Sequence, residues 1–334
     1  MKTIAITGVT GFIGSKLAEY FAERGYRLIG FGRREPLEPA LLDRYIRWDI
    51  TEGALQLDEA VDIVLHCAGN VSDWDTHEVM YRVNVEGTRN VLETFKEARQ
   101  FVYVSTASVY DPQQHDAWLT ENAPYPSSYL NAYATTKMEA EKAIRQYGRK
   151  NAVIVRPHII YGPGDTSILP RLLEARRFGR FLVVGDGSNL LSITYIENFC
   201  RAIELIIQGD FEFEIFNLAD AYTGTVDEIL SAFKHALGFN EKMLHIDKRV
   251  ALLGGALLEK LFRLLRLKHP PLLTPFVVAQ MASGYRLDIS KACARLGYSP
   301  EYDFYRGFEA LKLWLGELEN RKFLQKTASQ AESR

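Results

Sequence analysis

Tyr133 and Lys137 are the two residues of this sequence whose types and spacing are best suited to chemistry. On a helix, residues at i and i+4 share one face, so the phenol and the ammonium would lie side by side. A free tyrosine has a pKa of about 10, and a nearby positive charge lowers it because that charge stabilises the phenolate. The pair therefore predicts proton transfer to or from an oxygen atom, with the tyrosine as general acid or base.

Three glycines near the amino terminus predict a phosphate-binding turn. Gly8, Gly11 and Gly14 follow a strand-like run and lead into a helical pattern. The first glycine permits a tight turn, the second lets the backbone approach a pyrophosphate, and the third lets the helix pack on the strand. Free N–H groups and the positive end of the helix dipole would then hold the phosphates. We expect the contacts to come from Gly8, Thr10, Gly11, Phe12, Ile13 and Gly14.

The end of the second strand-like run indicates which dinucleotide binds. Enzymes that use NAD(H) usually carry an acidic residue there, which accepts hydrogen bonds from the 2′-hydroxyl of the adenosine ribose. This sequence has Gly32 at that place, followed by Arg33 and Arg34. Guanidinium groups match the geometry of a 2′-phosphate, although two arginines could also be solvated surface residues. We interpret the pattern as a site that favours NADP(H) over NAD(H).

Short apolar runs that alternate with helical patterns predict the fold class. The runs are rich in Val, Ile and Leu with little alternation, as in strands that are buried on both faces. We expect strands at Thr3–Thr7, Arg27–Phe31, Tyr45–Trp48, Ile63–Cys67, Phe101–Ser105 and Ala152–Arg156, and helices at Gly14–Arg24, Thr88–Ala98 and Tyr133–Tyr147. This order predicts an α/β Rossmann fold with a doubly wound parallel sheet.

The second half of the chain predicts two further strands and a cap. Ser192–Ile196 and Phe213–Leu218 are strand-like and are expected to join the main sheet. We expect an NADP-binding domain made of residues 1–156 and 188–220, and a smaller, mostly helical substrate cap made of residues 157–187 and 221–319. Residues 320–334 are expected to form a polar tail.

Composition argues against several functional classes. The chain has 334 residues and a formal net charge of -2, which gives no electrostatic case for nucleic-acid binding. Its three widely spaced cysteines, Cys67, Cys200 and Cys293, suit a reducing compartment better than a disulfide framework or a metal cluster. We see neither the pattern of a secretion signal nor an apolar segment long enough to span a membrane. We therefore expect a cytoplasmic protein with no metal site.

The glycine spacing and several later motifs resemble one known superfamily. GxxGxxG at 8–14 and YxxxK at 133–137 are similar to the motifs of the short-chain dehydrogenase/reductase superfamily, in its extended branch of the NAD-dependent epimerase/dehydratase type. Arg156–Asp165 matches the RPxxxYGPGD signature of extended members. Residues 184–189 and 286–300 match the 3β-hydroxysteroid dehydrogenase-like group, and the chain resembles in particular its 2-alkyl-3-oxoalkanoate reductases.

The resemblance implies catalytic roles for residues that spacing alone does not single out. Thr106 matches the Ser/Thr whose hydroxyl holds the substrate oxygen, and Asn84 matches an asparagine that supports the active site. As ordinary structure, Thr106 could instead cap a helix and Asn84 could form a buried turn. By the same resemblance, Lys137 would hold the nicotinamide ribose and stabilise the phenolate of Tyr133.

The resemblance also implies further cofactor contacts and an assembly. Asp49 and Ile50 match the adenine contact, and Ala68 with Gly69 matches a small-residue turn beside the nicotinamide ribose. Extended members also contact the cofactor at the positions of Pro157 and His158, and Tyr133 and Lys137 complete the cofactor set. A homodimer through the helices that begin near residues 84 and 133 is implied as well.

The predicted function is reduction of a ketone, or oxidation of a secondary alcohol, on a bulky apolar substrate such as a 3-oxoacyl or sterol-like compound. The leucine-rich segment Val250–Met281 suits such a substrate better than a sugar nucleotide. A sugar-nucleotide epimerase or dehydratase is an alternative, although Ala107 and Ser108 stand where a dehydratase carries Asp-Glu. A non-catalytic NADP(H)-binding sensor is a second alternative, which the retention of both Tyr133 and Lys137 disfavours.

The helical pattern Leu252–Leu267 has two interpretations. Glu259, Lys260, Arg263 and Arg266 recur at helical spacing, so the segment is amphipathic with a mostly basic polar face. Such helices can make peripheral contact with a membrane surface. The alternative, which we favour, is a cap helix packed over the substrate cleft. Asp73 and Trp74 are candidates for a substrate loop or for plain loop packing.

Overall fold

The computed structural model describes residues 1–36, 38–72, 74–111, 118–174, 176–177, 180–267, 269–317 and 322. Asp73 and, apart from Lys322, the predicted tail 320–334 lie outside the described residues. The strands are β1 (Thr3–Thr7), β2 (Arg27–Gly32), β3 (Arg44–Arg47), β4 (Ile63–His66), β5 (Gln100–Val104), β6 (Trp118–Leu119), β7 (Ala152–Pro157), β8 (Ile160–Tyr161), β9 (Arg176–Arg177), β10 (Arg180–Val184), β11 (Leu190–Ser192), β12 (Thr194–Tyr195), β13 (Glu214–Leu218), β14 (Thr223–Thr225), β15 (Lys242–Ile246) and β16 (Arg286–Leu287). The α-helices are α1 (Phe12–Ala22), α2 (His77–Tyr81), α3 (Gly87–Thr94), α4 (Ala132–Tyr147), α5 (Ile168–Glu174), α6 (Ile196–Gln208), α7 (Val226–Ala236), α8 (Lys248–Leu264), α9 (Pro275–Met281), α10 (Ser290–Leu296) and α11 (Phe304–Gly316).

Seven of these strands form one parallel sheet, in the order β13-β7-β5-β4-β1-β2-β3. The chain order reverses beside β1, because β2 pairs with one edge of β1 and β4 with the other. At this reversal Thr7 is aligned with Phe31 on one side and with His66 on the other. In open sheets of this kind, ligands bind in the crevice at the reversal. The predicted Rossmann fold is confirmed.

Helices cover both faces of the sheet. α1 and α6 pack on one face, and α3 and α4 pack on the other. Successive strand residues point to opposite faces, so Phe101 belongs to one apolar core and Val102 to the other. All five residues of β1 and of β5 are buried, which explains why these strands lack an alternating pattern.

One strand prediction is wrong in its pairing. Ser192–Ile196 was expected in the main sheet, but this stretch is divided between β11, β12 and the start of α6. β11 pairs with β14, and β12 pairs with β8, each in a separate two-stranded sheet. Local apolar patterning indicates that a segment is extended, but the partner strand is set by distant contacts. Phe213–Leu218, by contrast, does contribute β13 to the main sheet.

Two helices that carry predicted site residues have well-defined ends. α4 begins after Asn131, whose side chain accepts a hydrogen bond from the Ala134 N–H at 3.0 Å, and it ends at Gly148 in the left-handed conformation. α3 is preceded by a π-helical turn, Arg82–Glu86, and by α2. The predicted helix Thr88–Ala98 therefore belongs to a longer helical region that begins earlier and ends earlier.

The remaining elements lie over the carboxyl edge of the sheet and around it. They include a three-stranded sheet, β15-β10-β9, as well as the helices expected for a cap. α8 and α9 pack on each other and share a small apolar cluster of Val184, Ala251 and Val278. None of the described helices is long and apolar enough to cross a bilayer. The division into an NADP-binding domain and a cap at the stated boundaries stays a prediction.

Candidate active site

The carboxyl ends of the parallel strands bring most of the predicted site residues to one edge of the sheet. The glycine turn follows β1, Gly32 ends β2, Ala68 follows β4 by two residues and Thr106 follows β5 by two. The amino-terminal end of α4 brings Tyr133 to the same edge, beside Thr106. This edge includes the crevice at the strand-order reversal, where a dinucleotide would bind.

Two positions of the glycine turn, Gly8 and Gly14, have no room for a side chain larger than hydrogen. Gly8 has a φ of +71°, and a Cβ placed on it would lie 2.7 Å from the backbone of Ala68. A Cβ on Gly14 would lie 2.3 Å from the Gly8 carbonyl oxygen. Gly11 caps α1 without a side-chain hydrogen bond, so the backbone amides at the start of α1, around Phe12 and Ile13, can receive an anion. These residues fit a pyrophosphate.

The end of β2 is closely bordered by the side chains of Thr10 and Tyr45. A Cβ on Gly32 would meet Thr10 Cγ2 and the Tyr45 hydroxyl, each at 3.2 Å. The Tyr45 hydroxyl lies 2.8 Å from the Gly32 carbonyl oxygen and also contacts the Arg34 carbonyl, so its one proton is shared between the two acceptors at the turn after β2. The conformation of the turn therefore does not depend on the arginine side chains.

Arg33 and Arg34 are both exposed just after β2, where a 2′-phosphate is predicted to bind. The side chain of Arg33 is 72% exposed, and its guanidinium lies 3.8 Å from the Asp49 carboxylate. Asp49 is already engaged, because it accepts hydrogen bonds from the N–H and the hydroxyl of Thr51. Although partial burial opposes it, these bonds and the charge of Arg33 hold the pKa of Asp49 below its usual range. Ile50 is buried against Gly87 of α3.

Asn84 connects the loop after β4 to α4. Its amide oxygen accepts a hydrogen bond from the Asn70 N–H at 2.7 Å, and its amide nitrogen donates to the Asn70 carbonyl and to the Thr136 hydroxyl at 3.0 Å. Gly69 passes so close that a Cβ on it would lie 3.2 Å from the Asn84 amide oxygen. The π-helical turn directs Asn84 inward, and such turns are frequent at functional sites. In this structure Asn84 therefore holds Asn70 by hydrogen bonds and lies against Gly69.

Sequence reasoning missed a buried histidine next to this connection. His66, at the end of β4, has its two ring nitrogens 2.7 Å from the Thr7 hydroxyl and 2.9 Å from the Thr88 hydroxyl. Thr88 donates in turn to the Asn84 carbonyl at 2.6 Å. Burial lowers the pKa of His66 to about 3, so the ring is neutral. Only the tertiary structure reveals this hydrogen-bonded chain, because its members come from separate elements.

Tyr133 is half-buried, and the Thr106 side chain lies close enough to its phenol to favour the phenolate by hydrogen bonding. Burial raises the pKa of Tyr133, and the Thr106 hydrogen bond and the charge of Arg171 only partly offset this. The sequence-based expectation of a lowered pKa is therefore wrong for the protein by itself. The lysine ammonium acts too weakly on the phenol to overcome desolvation. Thr106 also caps the short 3₁₀ turn Ala107–Val109, which is the structural role considered for it, and its contact with the substrate oxygen stays a prediction.

Lys137 lies one helical turn beyond Tyr133 and is almost completely buried. Its ammonium donates a hydrogen bond to the Val104 carbonyl at 2.6 Å and lies 4.3 Å from the centre of the Tyr103 ring. Burial lowers the pKa of Lys137 to about 8, against the attraction of Glu141. The ammonium still predominates at neutral pH, and two of its three N–H groups remain for other acceptors.

Glu141, one further turn along α4, is a buried carboxylate that sequence reasoning missed. It forms a salt bridge of 2.6 Å with Arg156, and both side chains are at most 2% exposed. Ser105 donates a hydrogen bond to the same carboxylate, as does Tyr125 at 2.7 Å. The spacing of Tyr133, Lys137 and Glu141, four residues each, was the signal that could have identified it. This ion pair attaches α4 to β7 below the site.

Pro157 and His158 lie at the end of β7, at the same edge of the sheet. His158 is buried, its Nδ1 lies 2.7 Å from the Ser192 carbonyl and its ring packs 4.9 Å from the centre of the Tyr285 ring. Burial lowers the pKa of His158 to about 4, so the neutral ring donates to Ser192. In the structure His158 therefore connects β7 to β11.

A cavity of about 320 Å³ opens at the start of α4. Its walls come from the loop before α2, from the residues just before Tyr133, from α8 and from the start of α9. Glu259 and Arg263 are the α8 side chains that line it. Arg263 stacks 4.3 Å from the Trp74 ring, and Trp74 donates a hydrogen bond to the Leu267 carbonyl at 3.0 Å. The candidate loop residue Trp74 thus attaches α8 to this side of the molecule.

The α8 part of the predicted apolar wall, Val250–Met281, does not face the cavity. α8 does lie over the cavity, but it presents Glu259 and Arg263 there. Most of its leucines point to solvent instead; Leu253, Leu257 and Leu264 are each at least 69% exposed. An amphipathic pattern identifies an apolar face but not the neighbour that this face meets. The apolar part of the cavity wall comes from Leu130 and from Phe276, and Phe276 belongs to the predicted segment Val250–Met281.

Comparison with protein families shows whether the chain shares only its fold with known enzymes or belongs to one of their families. Residues 4–219 match the NAD dependent epimerase/dehydratase family. The chain belongs to this family. The match covers the glycine turn, Thr106, Tyr133 and Lys137, and it confirms the predicted resemblance.

Members and neighbours of the epimerase/dehydratase family include several activities. The chain is 30% identical over 331 residues to a 2-alkyl-3-oxoalkanoate reductase from Shewanella oneidensis, covering 92% of this chain and 84% of the relative. It is 29% identical over 321 residues to a decarboxylating sterol-4-alpha-carboxylate 3-dehydrogenase from Mus musculus, covering 90% and 87%. A UDP-glucuronic acid 4-epimerase from Bacillus cereus, solved with NAD, shares the fold with a TM-score of 0.71 at 21% identity, covering 95% and 97%. The protein is therefore a pyridine-nucleotide-dependent enzyme of the extended short-chain dehydrogenase/reductase type.

Proposed function

We propose that this enzyme is an NADP(H)-dependent oxidoreductase that interconverts a ketone and a secondary alcohol. The observation that carries the proposal is the placement of Tyr133 beside Thr106, with Lys137 one helical turn away, at the edge where the glycine turn opens. The nicotinamide, when bound, supplies or receives the hydride. The protein has to position the carbonyl, move one proton and hold the cofactor.

Each catalytic side chain has one task in the reductive direction. Tyr133 keeps its proton at neutral pH, because burial raises its pKa, and it donates that proton to the carbonyl oxygen. Thr106 donates a hydrogen bond to the same oxygen and orients it. Lys137 holds the nicotinamide ribose with the N–H groups that Val104 does not use. A protonated phenol is ready for reduction, so we propose reduction as the favoured direction.

The preference for NADP(H) rests on the end of β2. Gly32 offers no carboxylate to a ribose 2′-hydroxyl, and Arg33 is largely exposed beside that position. The Arg33 guanidinium lies 3.8 Å from the Asp49 carboxylate. An exposed ion pair at this distance contributes little to stability. Its guanidinium can therefore turn to a 2′-phosphate, which offers two charges and a bidentate geometry. Arg34 is the second cation that we assign to this phosphate.

For the substrate we propose an apolar molecule that carries a carboxylate one carbon away from the reacting carbon. The names of the two relatives share this feature: a 3-oxoalkanoate and a 4-carboxylated sterol that reacts at carbon 3. Arg171 of α5 supports the proposal, because its charge acts on the Tyr133 phenol and would act equally on a carboxylate near the reacting oxygen. Leu130 and Phe276 offer apolar surface close to Tyr133 for the rest of the molecule.

The test is a panel of 2-alkyl-3-oxoacids assayed with NADPH, each beside its methyl ester, with Tyr133→Phe as the inactive control. Free acids should exceed their esters in kcat/KM by at least about tenfold, because only the acids carry the charge that Arg171 recognises. Each added methylene should raise kcat/KM up to about fourfold until the apolar surface is covered. Equal rates for acids and esters would remove the carboxylate from the proposal.

Two outcomes of a wider panel would replace the oxidoreductase proposal. Thermal stabilisation by UDP, together with turnover of a UDP-sugar and none of ketones, would establish the epimerase alternative. Tight NADPH binding with no turnover of any ketone, alcohol or UDP-sugar would establish the non-catalytic sensor. Oxidation of a 3-hydroxyacid faster than reduction of the matching 3-oxoacid, at neutral pH and equal saturation, would reverse the proposed direction.

We also propose that the protein is a homodimer assembled through α3 and α4, as the family relationship implies. α4 presents exposed residues such as Tyr147 on the side away from the sheet. Light scattering after size-exclusion chromatography should give twice the chain mass of 38.0 kDa. A mass of one chain at all concentrations would contradict the dimer.

A further inference from the structure

α8 presents a continuous apolar ridge to solvent. Val250, Leu253, Leu257, Leu261 and Leu264, called here the α8 ridge, follow one another at spacings of three or four residues and so share one face of the helix. Leu257 is 70% exposed and Leu264 is 77% exposed. Isolated exposed leucines are ordinary, but a contiguous apolar stripe marks a surface that another body covers.

The packing of α8 on the protein does not involve the ridge. Of its residues, only Ala251 and Gly255 are fully buried. Gly255 approaches α9 so closely that a Cβ on it would lie 3.3 Å from the Leu273 carbonyl oxygen. On the other side, Trp74 stacks on Arg263 and bonds the Leu267 carbonyl. The helix is therefore held by its opposite face, and the ridge is available.

The charge around the ridge indicates the chemistry of its partner. Residues 248–266 contain five cationic side chains and one carboxylate, although the whole chain has a net charge of -2. The carboxylate, Glu259, is paired with Arg263 at 2.9 Å. Arg249 and Lys260 are exposed and adjoin the ridge residues Val250 and Leu261 along the helix. An apolar stripe bordered by cations complements a surface whose outer layer is anionic and whose interior is apolar.

A second copy of the chain fits this surface less well. In a symmetric pair of α8 helices the same patch would meet itself. The interface would then carry Arg249 and Lys260 from both copies. The one carboxylate of the segment, Glu259, is already paired with Arg263, so this excess of like charge opposes the contact. An anionic lipid surface has no such conflict, because the ridge enters the acyl boundary while the cations remain among the phosphates.

We propose that α8 docks the protein on an anionic lipid surface, with the ridge as the inserted face. The same helix lines the cavity of about 320 Å³ with Glu259 and Arg263, on the side opposite the ridge. Docking would thus hold the cavity on the far side of α8, one helix diameter, roughly 10 Å, from the inserted face. The docking itself does not depend on the proposed activity.

The test is flotation of the full-length protein with vesicles, read out as bound protein and not as activity. Vesicles of phosphatidylcholine alone are compared with vesicles that also contain phosphatidylglycerol. The wild type should float with the anionic vesicles only, and high salt should weaken binding because the Debye length shortens. Leu257→Glu should lower binding by at least about tenfold, since it places a charge in the inserted face. Lys260→Gln should lower binding by about fivefold, the contribution of one cation near an anionic surface.

The matched control is Leu313→Glu. Leu313 is 75% exposed on α11, so this variant makes the same change at an equally exposed leucine on another helix. It should bind vesicles like the wild type. Circular dichroism and NADPH titration should be unchanged in all variants, which separates loss of docking from unfolding.

Three results would overturn the proposal. The first is equal binding of Leu257→Glu and wild type to anionic vesicles. The second is equal binding of the wild type to neutral and anionic vesicles, which would remove the role of the cations. The third is no vesicle binding together with an oligomer that Leu257→Glu dissociates and Leu313→Glu does not, which would assign the ridge to a second copy of the chain.

Discussion

The pH dependence of the reaction should report the protonation of Lys137. Burial lowers the pKa of this ammonium to about 8, so the charged form predominates below pH 8 and is lost above it. About nine-tenths of the molecules carry the charge at pH 7 and about one-tenth at pH 9. If the ammonium holds the nicotinamide ribose, kcat/KM for NADPH should fall about tenfold between these values and about tenfold per further pH unit.

The assay is a series of initial rates at low NADPH and saturating ketone, because kcat/KM reports groups of the free enzyme. Other groups at the site titrate elsewhere. Tyr133 has a raised pKa, and burial raises the pKa of Cys67 to about 12. A profile that stays flat from pH 7 to pH 9.5 would refute the reasoning, because it would mean that the charge of Lys137 does not contribute to cofactor use. Circular dichroism at each pH checks that the fold is intact.

Three substitutions test the remaining assignments. Gly32→Asp should shift the preference from NADPH toward NADH by at least about tenfold in Kd, measured by fluorescence titration, because the new carboxylate accepts from a 2′-hydroxyl and repels a 2′-phosphate; an unchanged ratio would contradict the site at the end of β2. Lys137→Met should lower turnover at least about a hundredfold while the melting temperature stays equal or rises, because a buried ammonium with a pKa of about 8 destabilises the fold; a large fall in melting temperature would contradict this. Arg171→Gln should raise KM for a 3-oxoacid at least about tenfold and leave KM for its methyl ester unchanged, whereas equal changes for acid and ester would exclude a carboxylate contact.

Much of the site was predictable because its parts are local in sequence. The glycine turn has its chemistry within seven residues, and the steric demands of Gly8 and Gly14 follow from backbone geometry alone. Tyr133 and Lys137 lie on one helix, so their spacing determines that they share a face. The strands of the main sheet were predictable for a related reason, since their burial on both faces leaves continuous apolar runs.

The parts that were not predictable depend on contacts between distant elements. The connection of His66 to Thr7 and Thr88 joins three elements, and no local pattern announces it. The raised pKa of Tyr133 was missed because desolvation depends on what covers the phenol in three dimensions.

The leucines of α8 show the limit of patterning most clearly. Periodicity identified an amphipathic helix, and its position over the cavity was correctly expected. Periodicity could not say which face would meet the protein, because small residues such as Ala251 and Gly255 make a close contact without appearing apolar in the pattern. The leucine-rich face was therefore assigned to the substrate, whereas the structure leaves it in solvent.

Single-turnover reduction of a 2-alkyl-3-oxoacid by Tyr133→Phe tests the central claim most directly. The substitution removes only the hydroxyl that Thr106 contacts, so NADPH binding and stability should be unchanged. If Tyr133 donates the proton, hydride transfer followed by NADPH absorbance should slow by about 10²–10⁴-fold, and Thr106→Val should give a smaller loss. A single-turnover rate in Tyr133→Phe close to that of the wild type would contradict the account.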